Sequence, residues 1–459
     1  MKLTSQNISH KTINQLIGSK LECECGHIHS MSTQYVVIEE EAISKLPQII
    51  EKLGYKNILI IADTNTDKVA GEKVKKSLAN SKLSIKNFVF DITQNNLVPN
   101  EEAIGKILVQ AEKGLEVIIA IGTGTLNDLA KYVSYQLDIP SMVVATAPSM
   151  DGFASTGAAL IVGNLKLTYV TDCPQVIIGD VNIIKDSPMD MILAGFGDIV
   201  GKYSALCDWK LSQLINKEYF CEVSCKMVEV SLGKCIENTQ GIKNRDKIAI
   251  KNLMDALILT GIAMSYVGNS RPASGAEHHL SHYFEMMFQF EGKEPVLHGT
   301  KVGIATVITM KLRELFAEST IDFDEAIIKA ENFDGTKWKK TVEELYQSAA
   351  KGIIDINEKE QRNSIAKRLE RIRFIKENLY KIIEIIKDVP SAQEIKEILK
   401  SVGAPYTPIE VGIDTKTLID CIKMAKEVRT RYTILNLLSD IAILDDLAYE
   451  VRDYLEEVN

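Results

Sequence analysis

The sequence predicts two domains of different class: an α/β N-terminal domain built on a parallel sheet, residues 1–185, and an all-helical C-terminal domain, residues 186–459. Three observations carry this. Between about residues 34 and 180, the short runs "YVVIE", "NILIIAD", "IKNFVFD", "EVIIAIG" and "SMVVATA" alternate with helical patterns, the signature of parallel βα units. Strand-like runs then nearly vanish, and no proline interrupts Pro188 to Pro272 or Pro295 to Pro390, which favours helices. Finally, 459 residues exceed what one core usually organises.

Composition narrows the class. Hydrophobic residues make up 46%, charged residues 25% and aromatics 6%, so the chain can bury a substantial core. A net charge of −9 argues against nucleic acid as a partner, because that binding rests on clustered Lys and Arg. The polar N-terminus "MKLTSQNISHKTINQLIGSK" lacks the apolar core of a signal peptide, and eight scattered cysteines read most simply as free thiols in a reducing cytoplasm. "NLMDALILTGIAMSYVG" is broken by Asp255 and falls short of the roughly 20 clean residues of a membrane span, so it reads as a buried helix. "INEKEQRNSIAKRLERIRFIKENLYK" spaces its apolar residues as an amphipathic surface helix.

"EVIIAIGTGTLNDLAKYV" runs from a buried strand through Gly122 and Gly124 into a helix carrying Leu126, Leu129, Ala130 and Val133. Glycines let backbone amides approach a diphosphate, and the helix N-terminus adds partial positive charge, so the turn is a Rossmann-like candidate; a tight βα turn without ligand reads equally well. Asp63 ends the "NILIIAD" strand, where it either binds an adenosine ribose or caps the next helix.

Three of seven histidines fall in "GAEHHLSH", and His298 follows in "LHGTKVG". On a helix His278 and His282 share a face and His279 does not. With Asp198 in "GFGDIVGK", two histidines make a three-ligand site with open positions, the catalytic pattern for a divalent ion; the alternatives are a surface His pair and a capping Asp198. "CECGHIH", Cys23 to His29, offers four candidate ligands, but if extended they span about 20 Å. A single ion then requires a turn at Gly26; otherwise the segment is a small hairpin with free thiols.

Taken together, "GTGTLNDLAKYVSYQLDIPSMVVATAPSMDGFAS", "GFGDIVGK", "SRPASGAEHHLSHYFE", "LHGTKVGIAT" and "EVRTRYTILNLLSDIAIL" resemble the bacterial type of sn-glycerol-1-phosphate dehydrogenase. That family lies in the superfamily of glycerol dehydrogenase, iron-dependent alcohol dehydrogenases and dehydroquinate synthase. The resemblance spans nearly the whole chain, apart from added length around residues 320–390, and implies a dehydroquinate synthase-like fold. It implies Asp198, His278 and His298 as ligands of one divalent metal (zinc, nickel or iron), with His282 and Asp151 contacting substrate alongside Asp198. NAD(H), or NADP(H), would lie along Gly122, Gly124, Thr125, Leu126, Asn127 and Asp128, then Thr146, Ala147, Pro148, Ser149 and Ser155, with Asp63 at the ribose. Arg271 is the candidate for the substrate phosphate, because a guanidinium matches phosphate oxygens in pairs, with Lys202 and Lys301 behind it.

The implied reaction is reversible hydride transfer between nicotinamide and dihydroxyacetone phosphate or sn-glycerol 1-phosphate, in a cytoplasmic homodimer whose interdomain cleft holds both ligands. Three rival readings remain at this point. Plain glycerol is the nearest alternative substrate, a phosphate-eliminating lyase shares the triad and the bound NAD, and a non-catalytic NAD- or metal-binding protein would share the ligands alone.

Overall fold

A computed structural model describes residues 2–92, 97–163 and 165–456. Two compact units form, one from residues 1–199 with 221–272, the other from 200–220 with 273–459. Strands among the described residues end at Asp180 and helices follow. Compactness does not follow that change of texture at residue 185, because the helices between 221 and 272 pack within the sheet-bearing unit.

Among the described residues the first unit carries eleven strands: β1 (Lys2–Leu3), β2 (Leu21–Cys23), β3 (Ile28–His29), β4 (Tyr35–Glu39), β5 (Asn57–Asp63), β6 (Ser84–Phe90), β7 (Val117–Gly122), β8 (Ser141–Ala145), β9 (Gly157–Val162), β10 (Leu165–Val170) and β11 (Val176–Asp180). Six form one parallel sheet in the order β4-β11-β8-β7-β5-β6. β7, β8 and β11 are buried at every position, which explains their unbroken apolar runs, since helices cover both faces of such a sheet. Five of the six are the runs picked out in the sequence. The sixth, β11, and the antiparallel pair β9-β10 were missed. "VIIGD" is five residues long and abuts a helical pattern, and a short apolar run is not separable from a helix by period alone.

Chain order around the sheet fixes where a ligand fits. From β5 the chain moves outward to β6, then returns to the other side of β5 for β7 and β8, so direction reverses between β5 and β7. Ligands of open α/β sheets bind outside the carboxyl ends of the strands at such a reversal. The register Ile61↔Ala120 brings Asp63 level with Gly122, and Gly122 pairs with Ala145. Asp63, the glycine turn and the Thr146 segment therefore share one edge.

The apolar run at 252–268 falls on a 21-residue helix, Lys247–Val267, and its capping Gly268; the helix is long and apolar enough to cross a membrane by length and composition, yet 67% buried inside the protein over its most apolar stretch. It packs on the Glu222–Ile236 helix and on the Gly152–Ala154 turn. At Gly261 an added Cβ would lie 3.0 Å from backbone and side chain of Ala154, so this glycine sets the approach.

The second unit is helical. Asp208, fully buried in the Lys202–Asn216 helix, organises it: one carboxylate oxygen accepts from the Ala276 amide at 2.7 Å, the other from the Ile434 amide at 2.9 Å and the Arg313 guanidinium at 2.7 Å. Burial pushes this carboxyl upward and Arg313 chiefly opposes the rise. One side chain thus caps two helices and holds a buried cation. The charged run at 356–381 is not one helix. It divides into Ala350–Lys359, Ile365–Glu377 and Leu379–Lys387, with a left-handed Gln361 (φ 51°) at the first break. Ile372 and Ile375 are buried, and Arg371 forms a paired contact to Asp440 at 2.6 and 2.9 Å.

Candidate active site

At the sheet edge, β7 ends at Gly122, Thr123 bridges, and the Gly124–Gln136 helix begins with no side-chain cap. Its first amides are therefore oriented donors at a positive helix end. A Cβ on Gly122 would sit 2.5 Å from Leu126 Cδ1 and 3.1 Å from its Cβ, so a larger residue there would have to displace the Leu126 side chain. A Cβ on Gly124 meets only Met150, at 3.6 Å, so internal packing does not demand the second glycine. An open amide end with a dispensable side chain is what a diphosphate needs.

Neighbouring residues are bound together. Lys131, which sequence reasoning missed, is fully buried and reaches Asp128 at 2.9 Å, the Gly152 carbonyl at 3.1 Å and the Gly157 carbonyl. Asp128 also accepts the Ala159 amide at 3.1 Å, and the Asn127 amide donates to Gly152 O at 3.4 Å. Ser155 donates locally to Gly152 O at 3.1 Å. The Gly124–Gln136 helix is thereby locked to the 152–159 segment. Thr146, Ala147 and Ser149 are buried, and Thr146 N donates to Gly122 O at 3.2 Å.

Asp63 is a helix cap: one oxygen accepts the Asn65 and Thr66 amides at 2.9 and 2.8 Å, and Thr66 Oγ1 accepts the Asp63 amide at 2.9 Å. Both amides use the same carboxylate oxygen, so the cap accounts for only half of the group. Asp198, fully buried in the Met189–Val200 helix, accepts the Asp151 amide at 3.0 Å. Arg271, at the end of the first unit, is 2% exposed, and its amide donates to Asn269 at 2.9 Å.

In the second unit His278 and His282 stand on the Ala276–Phe290 helix, and His298 opens the His298–Glu318 helix. Ring centroids lie 5.1 Å apart for His278 and His298, 5.5 Å for His282 and His298, and 6.2 Å for the helical pair. His279 is buried but belongs to none of the ligand groups found among the described residues. Gly275 makes the helix start possible, because a Cβ there would lie 2.7 Å from Asp208 Oδ2 and 3.0 Å from Ala205 Cα.

Two carboxylates orient the imidazoles. Glu277, fully buried, accepts the Gly275 amide at 2.7 Å and contacts His278 Nδ1 at 2.7 Å. Burial pushes Glu277 upward, while the Ser204 hydroxyl, the Gly275 amide and Lys202 oppose the rise. With a carboxylate accepting at Nδ1, His278 carries its proton there and presents the Nε2 lone pair, the arrangement found around metal-bound histidines. His282 is engaged differently. Nδ1 lies 3.3 Å from Glu285, and Nε2 accepts from the Arg429 guanidinium at 3.1 Å. Both of its ring nitrogens have side-chain partners, so neither lone pair is presented as His278 presents its own. His282, Glu285 and His298 nonetheless offer ligand atoms within 4.8 Å of one another.

The lysines considered for phosphate are held internally: Lys202 donates to Ala273 O at 3.1 Å, and Lys301 donates to Val296 O and lies 3.9 Å from Glu285. Arg429, absent from the sequence-based candidates, is the guanidinium beside His282; burial lowers its pKa and Glu285 opposes this. Glu277 and Glu285 were also missed, although one adjoins a ligand candidate and the other lies three residues beyond His282.

The family model for iron-containing alcohol dehydrogenases matches residues 37–188. A glycerol-1-phosphate dehydrogenase from Halalkalibacterium halodurans is 32% identical over 425 residues, covering 91% of this chain and 96% of the relative. One from Geobacillus thermodenitrificans is 29% identical over 439 residues, covering 95% and 100%. The solved structure of a probable glycerol dehydrogenase from Sinorhizobium meliloti 1021 shares the fold, with a TM-score of 0.60 at 15% identity over 93% of this chain and 98% of that one. On identity and span together, this chain belongs to the glycerol-1-phosphate dehydrogenase family.

Proposed function

We propose that this chain catalyses the reversible, metal-dependent reduction of dihydroxyacetone phosphate to sn-glycerol 1-phosphate with NADH or NADPH. Asp198, His278 and His298 are the proposed ligands of one divalent cation, and the observation that carries this is His278 itself, held by Glu277 so that Nε2 faces outward from the carboxylate. Two imidazoles and one carboxylate suit zinc, nickel or iron. When bound, the cation supplies Lewis acidity to the substrate oxygen and the nicotinamide supplies or takes the hydride.

The chain's own residues do the rest. The amide end of the Gly124–Gln136 helix, at the reversal between β5 and β7, receives the diphosphate. Glu277 fixes the tautomer of His278. Asp151 and His282 orient the substrate hydroxyls or relay from solvent the proton that the reduced oxygen requires. Arg429 joins Arg271 as a partner for the phosphate, since it is a half-buried guanidinium already at His282. Family resemblance adds a homodimer in the cytoplasm, checked by sedimentation and fractionation.

The test is an A340 assay of dihydroxyacetone phosphate against dihydroxyacetone, each with NADH and NADPH, with metal analysis of the same sample. Equal rates with the unphosphorylated ketone would point to a glycerol dehydrogenase, and no change in A340 to a lyase or a non-catalytic binder. Asp63→Ser sharpens the cofactor assignment while keeping a capping hydroxyl. A carboxylate beside a 2′-phosphate costs a few kcal/mol, about two orders of magnitude in affinity, so the variant should gain NADPH use. An unchanged ratio of kcat/KM leaves Asp63 as a cap alone.

A further inference from the structure

The "CECGHIH" segment is not extended. β2 and β3 pair antiparallel, Gly26 takes the left-handed φ of 87°, and its amide donates to Cys23 O at 3.1 Å, closing a tight turn that brings Cys25 and His29 back toward Cys23. A fourth side chain arrives from 192 residues beyond His29: Cys221, the residue before the Glu222–Ile236 helix in the same compact unit. Ligand atoms of Cys23, Cys25, His29 and Cys221 all lie within 4.8 Å of one another.

Distances and orientation select among the readings of such a group. Cys23 and Cys221 sulfurs are 3.9 Å apart, and His29 Nε2 lies 3.5 Å from both Cys25 and Cys221. A disulfide needs about 2.05 Å. Tetrahedral zinc, with bonds of about 2.3 Å to sulfur and 2.0–2.1 Å to nitrogen, sets edges of about 3.8 Å between sulfurs and 3.5 Å between sulfur and nitrogen. Sulfur packing alone explains neither the imidazole nor its aim. His29 is 2% exposed, its Nδ1 donates to Tyr266 O at 2.9 Å, and its ring stacks on the Tyr266 ring at 4.6 Å and 3°. With the proton committed to a carbonyl at Nδ1, the Nε2 lone pair is turned on the thiols, the carbonyl-oriented geometry of a metal-bound histidine. Cys221 stands at a helix N-terminus and accepts the Ser224 amide at 3.5 Å, which fixes its sulfur toward the group.

We propose that Cys23, Cys25, His29 and Cys221 bind a structural zinc ion, distinct from the ion of the proposed active site and independent of that assignment. On binding, each thiol loses its proton to solvent and donates a sulfur lone pair; nothing is oxidised or reduced. Four protein ligands leave no position for substrate, the closed set of a structural rather than a catalytic site. The ion would clip the N-terminal three-stranded sheet to the start of the Glu222–Ile236 helix.

Metal analysis of the purified full-length protein tests this, with cobalt(II) as the spectroscopic probe. The expected result is one zinc per chain that survives dialysis against a chelator, released only on unfolding, and in cobalt-loaded protein a near-ultraviolet thiolate-to-cobalt charge-transfer band. The band should persist in His278→Ala, whose proposed ligands include no sulfur, and vanish in Cys25→Ser and Cys221→Ser. Should those variants fail to fold, the wild-type zinc count and cobalt spectrum decide alone. Wild type without retained zinc and without the band, or with a Cys23–Cys221 disulfide in fresh reduced preparations, overturns the site.

Discussion

The thiol group of the first unit and the histidine group of the second differ in every property that separates a clip from a working centre. Around Cys23 the ligands are soft and mostly buried, and their one imidazole is tied to a backbone carbonyl. Around His278 the neighbours are charged: Glu277, Glu285, Arg429 and Lys301 lie within one or two contacts of the rings. A carbonyl partner holds a ring in place, whereas a carboxylate also raises its basicity. Charge placed around imidazoles can respond to a reaction; sulfur closed around an ion resists exchange.

The strongest way to sharpen that contrast is His278→Ala. Activity should fall by about 10³-fold or more, since a Lewis acid contributes several kcal/mol to the barrier, while the thiolate–cobalt signature stays. If activity survives in metal-free protein, the histidine group is not the centre. Glu277→Gln should weaken metal binding at that centre by about 10–100-fold, with activity recovered by excess metal. A loss that added metal cannot repair would make Glu277 a part of the helix start alone.

Cys25→Ser reverses the pattern. Turnover at 25 °C should be unchanged, and the melting temperature should fall by roughly 5–10 °C, as expected when a metal worth a few kcal/mol no longer holds a domain of this size. A variant that melts like the wild type would break the comparison. The smallest effect on metal belongs to His279→Ala, which should keep its full content and lose only stability, by about 2 kcal/mol from the cavity. Metal loss equal to that of His278→Ala would exchange the two histidines.

These groups also show what a sequence exposes. β-branched runs alternating with helical patterns marked five strands of the parallel sheet, whereas β11 passes directly into the following helix. The His278 and His282 pair was legible because helical spacing is local. Cys221 was not: nothing near it suggests metal, and its partners lie behind a fold that only long-range pairing creates. Lys131 and Asp208 escaped for the same reason, since each looks like an ordinary helix residue until its burial and its partners are known. In "CECGHIH" the sequence shows the condition for one ion, a turn at Gly26, and the left-handed conformation of that glycine meets it.

The separation of Cys23 from Cys221 also orders events during synthesis. These residues are 198 positions apart, and at 5–20 residues per second the ribosome needs roughly 10–40 s to pass from one to the other. Throughout that interval all six strands of the parallel sheet are made, while the nascent N-terminus carries three of its four ligands. The clip cannot close before Cys221 is made. The segment around Cys23 is therefore secured by this contact only after every strand of the parallel sheet has left the ribosome's decoding site.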